Sequence, residues 1–318
     1  HSKRLGRMEM ATFFVTNFED AGPGSLRAAI DDANAADGMD VITFEATLAG
    51  GTIDLASALR ITEGGLQIDG DLDDDGTPDI TLDGGFQSRI LEIDGDDAVI
   101  LEGLVMSGGR VPLGDSPSGG AVLATGDGAL TVRASVIEDS SAGDSGGAIR
   151  ASGALEISDS LLVGNSAQRG GALSASDTVR VLNSELRNNV ADNVGGAIDA
   201  PTAIVEDSVL VANRALLDEG GAVYGFNLIS RRSEFAANEA GGAGGAFWII
   251  GDVTLEDSLF VANAASDEAG AGAVREGAAN VRNSTFIRNT AEEDGGALYL
   301  LDLADSNGGA TIVHSTFN

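Results

Sequence analysis

The sequence predicts an all-β, single-domain, right-handed parallel β-helix with about 25 residues per coil and a short N-terminal capping helix. Three observations predict it. A Gly-Gly-Ala motif recurs at near-constant spacing, a Ser-x-Leu/Phe-x-x-Asn motif recurs in the same register, and apolar residues alternate between the two.

The first motif begins at Gly119, Gly146, Gly170, Gly195, Gly220, Gly244, Ala271 and Gly295, the Ala271 member being a degenerate Ala-Gly-Ala. The intervals are 27, 24, 25, 25, 24, 27 and 24 residues, which marks eight coils. The second motif pairs Ser160 with Asn165, Ser184 with Asn189, Ser208 with Asn213, Ser233 with Asn238, Ser258 with Asn263 and Ser284 with Asn289. Ser135 and Ser140 form a degenerate member. Three places after each first glycine stand Val122, Ile149, Leu173, Ile198, Val223, Phe247, Val274 and Leu298, all apolar. Leu162, Leu186, Leu210, Phe235, Phe260 and Phe286 form a second apolar column. Period two with β-branched residues reads as strand, and stacked coils bring parallel strands to about 4.8 Å. In such a stack the glycines suit tight corners and the asparagines suit a ladder of side-chain amides. The period is too short for the helix pair of an ankyrin or tetratricopeptide unit.

The chain start is different. Residues 1–10 read as an expression remnant, and residues 11–39 as an N-terminal cap. The cap holds a strand at Phe13–Thr16 and a helix from Leu26 to Ala33 with Ser25 as N-cap. Residues 40–318 read as the β-helix, less regular over 40–110 and regular from about Gly119. The chain stops inside a repeat at His314–Asn318, which predicts a piece cut from a longer secreted protein.

Composition excludes several functions. Acidic residues outnumber basic ones 50 to 18, for a net charge of −32. Such a surface repels nucleic acid and anionic lipid. With no cysteine there is neither a disulfide nor a thiolate metal site. No apolar run is long enough for a transmembrane helix.

The pairing of Gly-Gly-Ala-Ile with Phe-x-x-Asn resembles the polymorphic outer membrane proteins, which are adhesive autotransporter passengers. The first motif is complete at Gly146–Ile149 and Gly195–Ile198, the second at Phe235–Asn238, Phe260–Asn263 and Phe286–Asn289. The likeness covers residues 119–318. The opening Gly22-Pro23-Gly24-Ser25-Leu26-Arg27-Ala28-Ala29-Ile30 resembles the N-terminal cap of secreted bacterial β-helix proteins. The chain carries neither a calcium-binding nonapeptide array nor an autotransporter barrel. The resemblance implies an extracellular or cell-surface module, adhesin-like or structural, that presents a repetitive surface to a polysaccharide or a surface protein.

Two candidate sites stand out from the scaffold. Asp71, Asp73, Asp75, Gly76 and Asp79 match the first nine positions of a calcium loop, which needs hard oxygens converging on one point. Position twelve is Leu82 rather than a bidentate acid, and Asp83 lies one place late. The competing reading is a solvated acidic turn. The second candidate is a column four places after each first glycine: Leu123, Arg150, Ser174, Asp199, Tyr224, Trp248, Arg275 and Tyr299. It holds both tyrosines and the sole tryptophan. Its outward face suits a sugar or a protein partner through Asp199, Tyr224, Trp248, Arg275 and Tyr299. Packing against a loop or a second copy of the chain is the plainer alternative. A third column, Glu206, Arg231, Glu256 and Arg282, reads as a ladder of exposed ion pairs.

Enzymatic action on an extracellular glycan, by a polysaccharide lyase or glycoside hydrolase, is the competing function. Lys3 is the sole lysine, and His314 the sole histidine after His1. Arg150 or Arg275 beside Asp199 would then have to carry acid–base chemistry.

Overall fold

The computed structural model describes residues 10–36, 38–62, 65–111, 117–301 and 309–318. Residues 1–9, most of the segment read as an expression remnant, lie outside the described residues. The strands form three parallel sheets, one of 20 strands, one of 11 and one of 6. The 11-stranded sheet runs from Gly51–Asp54 through Ile80–Asp83 and Leu104–Ser107 to Thr316–Phe317. The spiral therefore has more turns than the eight that carry Gly-Gly-Ala, because the early coils form without that motif. Pairing is residue on homologous residue: Ile198 lies on Val223, and Val223 on Phe247.

Each regular coil turns at three corners, and each corner holds a residue at positive φ. The first is the leading glycine, such as Gly195 at φ 63° and Gly220 at φ 71°. The second immediately precedes the serine: Asp159, Asn183, Asp207, Arg232, Asp257 and Asn283 lie between φ 44° and 52°. The third precedes the asparagine, as at Asn188, Ala212, Ala237 and Ala262. Left-handed backbone costs a non-glycine residue roughly 1 kcal/mol, least for Asp and Asn. The stacked coils on either side hold the shape against that cost.

These corners correct one alignment. Ala269, at φ 64°, occupies the corner that glycine holds elsewhere, so the seventh motif begins there and not at Ala271. The residue stacked on Phe247 is then Gly272, while Val274, also buried, stacks on Ile249. A Cβ on Gly272 would run into the Phe247 ring, so the large residue of one coil fills the space left by the next. The second apolar column is as expected. Leu162, Leu186, Leu210, Phe235, Phe260 and Phe286 are all fully buried. The Phe235–Phe260 and Phe260–Phe286 rings stack with centroids 4.8 Å apart.

Two polar ladders run through this apolar stack. Each asparagine from Asn165 to Asn263 donates its backbone N–H to Oδ1 of the next coil's asparagine, at 2.9–3.1 Å. Its Nδ2 reaches the same Oδ1 at 2.9–3.1 Å. The second Nδ2 hydrogen goes to a carbonyl of the preceding coil at 2.8–3.0 Å. Every hydrogen-bonding function of the internal amides is thus used, which is what permits their complete burial. The serines do likewise. From Ser135 to Ser284 each backbone N–H donates to Oγ of the next coil's serine at 3.0–3.4 Å.

The open start of the core is covered as expected. The helix Leu26–Asn34 buries Leu26, Ala29, Ile30 and Ala33, the spacing of one helical face. Ser25 caps it, its Oγ accepting from the Ala28 N–H at 3.2 Å. Arg27 donates to the Ala58 carbonyl at 2.8 Å, and Asn34 to the Arg60 carbonyl at 2.8 Å, which pins the lid to the coil beneath. The first strand spans Thr12–Val15 and pairs parallel with Met39–Phe44, so the cap is continuous with the spiral.

The charge ladder forms over three of its four members, Glu206, Arg231 and Glu256, and among the described residues Arg282 makes no ion pair with Glu256. Arg231 donates to Glu206 at 2.8 Å and to Glu256 at 3.0 Å, and Arg180 reaches Glu206 at 3.0 Å. Arg231, with Arg180 beside it, holds the Glu206 carboxyl below its ordinary value of 4.5, against the opposing pull of desolvation.

Two outcomes are expected. Asn213→Ala strands the amides of Asn189 and a carbonyl acceptor of the neighbouring coil, and costs about 3 kcal/mol in urea unfolding. Asn289→Ala, at the less buried end of the ladder, costs less. Equal, small losses at both sites would contradict the ladder's role. For the ion pairs, a lowered carboxyl stabilises fully above its unfolded pKa and loses that contribution as pH falls through the folded value. The melting gap between wild type and Arg231→Gln is therefore open at neutral pH and narrows below about pH 4.5. A gap that stays constant into acid would overturn it.

Candidate functional site

The outward column gathers as a groove of about 440 Å³ on the 20-stranded sheet. It is lined by Arg150, Ser174, Asp199 and Tyr224 from the column, with Arg169, Phe226 and Pro201 beside them. The small residues Ser174, Ala175 and Gly225 leave it room. In the preceding coil Leu173–Ala175 and Thr178–Leu182 are separate strands, whereas Ile198–Glu206 and Val223–Arg231 each run unbroken for nine residues.

Arg169 organises the groove. It grips both oxygens of Asp199, Nε to Oδ2 at 2.9 Å and Nη2 to Oδ1 at 3.2 Å. Its guanidinium carbon lies 5.8 Å from the centre of the Tyr224 ring, within cation–π range. Burial and the nearby Glu219 carboxylate push the Tyr224 hydroxyl above its usual range, so it stays a neutral donor. Arg150 donates to the Ala151 carbonyl at 2.7 Å and to Ser176 Oγ at 2.6 Å. Trp248 pairs with Tyr224 on the next rung and is half-buried.

The structure separates two of the expected residues from this cluster. Trp248 and Tyr299 both pair with Ala273, which is fully buried, so the aromatic stripe is interrupted between them. Arg275 is not in the column. The corner at Ala269 shifts that coil by two places, leaving Arg275 exposed beyond the strand, 3.7 Å from Glu276. Arg169 escaped the sequence reading because it stands just before the first glycine, outside both motifs. Its signal was a basic residue in a position that Glu219, Glu268 and Asp294 make acidic in other coils.

The acidic loop brings together three of its four candidates. One carboxylate oxygen from each of Asp71, Asp73 and Asp79 lies within 4.8 Å of the others. Asp75 turns away, accepting from the Thr77 N–H at 2.8 Å and the Thr77 hydroxyl at 2.5 Å. The Gly76 N–H donates to Asp71 at 2.9 Å, and the Leu72 N–H to Asp79 at 2.8 Å. Leu82 is fully buried in the strand Ile80–Asp83, so its position supplies core and no ligand. Desolvation and repulsion from Asp75, Asp79 and Asp71 raise the Asp73 carboxyl. Three hard anionic oxygens at this spacing fit calcium chemically, with the remaining ligands left to water and backbone.

Among the described residues no helix is long and apolar enough to cross a membrane. Residues 283–300 match the Chlamydia polymorphic membrane protein repeat. No curated protein matches the chain. Among solved structures it is similar to the PL6 family alginate lyase AlyGC, at 13% identity and a TM-score of 0.50, covering all of this chain and 41% of that one. A point mutant of the same lyase matches at 14% identity, with the same TM-score and coverage. The chain thus spans well under half of the lyase's length, and identity this low carries the fold alone. The chain is a parallel β-helix that carries a repeat of the polymorphic membrane protein type.

Proposed function

We propose that this chain is an extracellular, cell-surface β-helix module of adhesin-like character that binds a glycan in the Arg150–Tyr224 groove. The observation that carries the reading is the convergence of Arg150, Arg169, Asp199 and Tyr224 in one groove, with Trp248 on the adjoining rung. A ring face beside fixed hydrogen-bonding groups is the arrangement that stacks on and orients a sugar. The surface-protein repeat at residues 283–300 supports placement outside the cell.

The alternative is a polysaccharide lyase or glycoside hydrolase, the first being the activity named for the lyase that shares this fold. Against it, Arg169 ties down both oxygens of Asp199, so the carboxylate that acid–base chemistry would need is already paired within the protein. Binding is the reading this geometry favours.

Calcium in the Asp71, Asp73 and Asp79 loop is a second element of the proposal. A cation needs these carboxyls ionised, and desolvation with their mutual repulsion raises the Asp73 carboxyl, so affinity falls as pH falls into the carboxyl range.

Tyr224→Ala and Trp248→Ala are each expected to weaken binding on a glycan array by roughly tenfold, with unchanged melting temperature. Binding that survives both substitutions would overturn the groove as the site. Calorimetry is expected to show calcium binding at roughly 0.1–1 mM, the range of extracellular modules, that is lost in Asp71→Asn. No heat and no thermal shift in calcium would remove the metal from the account.

A further inference from the structure

Arginine is scarce in this protein and acid is abundant, at 50 acidic to 18 basic residues. Most described arginines are accordingly held by carboxylates, including Arg169, Arg180, Arg231 and Arg232. Arg150 differs. Among the described residues its guanidinium bonds go to a carbonyl and a serine hydroxyl, and none goes to a carboxylate. It is half-buried and lines the groove that also holds Tyr224. Of the other charges in the groove, Arg169 and Asp199 cancel as an ion pair, while Asp144 is held by serine hydroxyls and, among the described residues, by no arginine.

Resting on the glycan-binding reading of this groove, we infer that its ligand is an acidic glycan whose anionic group pairs with Arg150 while a sugar ring lies against Tyr224. Guanidinium presents planar, forked donors that suit a carboxylate or a sulfate ester, and such charge-assisted bonds are about twice as strong as neutral ones. A peptide carrying the same charge fits less well. The strands beneath the groove are paired on both sides, so they offer no free edge for a peptide to extend the sheet. The net charge of −32 repels a polyanion at a distance. At about 0.15 M salt the screening length is about 8 Å, so the local cation decides the outcome inside the groove.

The test uses a panel of matched oligosaccharides at that salt: uronic-acid oligomers with their methyl esters, and sulfated oligomers with their desulfated forms. Wild type is expected to bind at least one acidic member roughly tenfold tighter than its neutral match. Which pair shows the difference tells carboxylate from sulfate. Arg150→Gln is expected to abolish that preference, so that the variant binds acidic and neutral members alike. Arg288→Gln, away from the groove, is expected to keep the preference, and melting curves confirm that both variants fold. Neutral members binding as tightly as acidic ones, or a preference that survives Arg150→Gln, would overturn the inference and leave glycan binding standing. Binding of no member would remove both.

Discussion

The structure depends on one repeated hydrogen bond: a backbone N–H of an asparagine donating to the side-chain oxygen of the asparagine one coil on. It ties main chain to side chain across coils, so a shift by a single residue breaks it everywhere at once. A parallel sheet alone does not have this property, because its backbone bonds re-form after a slip. The asparagine and serine ladders therefore set the register, and the apolar columns fill the space that the register defines. A polar residue at full burial is costly unless satisfied, and here complete satisfaction turns that cost into specificity.

The same constraint explains the corners. Left-handed backbone at Asp159, Asn183, Asp207 and Asp257 points the following serine inward on every turn. Outside the corners, side chains answer to little but solvent and their neighbours one coil away. That freedom lets Arg231 bridge two glutamates at one end of the strand Val223–Arg231 while Tyr224, at the other end, builds a groove with Arg169. Function in such a molecule is a local departure from the column pattern, carried on a frame that does not change.

The frame was legible from the sequence because identical residues meet identical residues. Asn165 to Asn289, the leucine-to-phenylalanine column and the helical lid all follow from spacing. Ala271 was misleading because the motif rests on backbone angle rather than on residue identity. Ala269 adopts the glycine conformation, and the letters Ala-Gly-Ala fit two alignments equally well. The error moved Arg275 into a column it does not occupy. Asp75 misled for a related reason, since a carboxylate in a calcium-like spacing had a nearer partner in Thr77. Arg169 was invisible because its role comes from reaching Asp199 and Tyr224 in two further coils, a relation that no single repeat contains.

Hydrogen exchange at the ladder amides tests the central claim most directly. The account predicts that the backbone N–H groups of Asn189, Asn213 and Asn238 are among the slowest in the protein, exchanging only when neighbouring coils separate. Exchange at those sites as fast as in the solvated Asp71–Asp79 loop would contradict it.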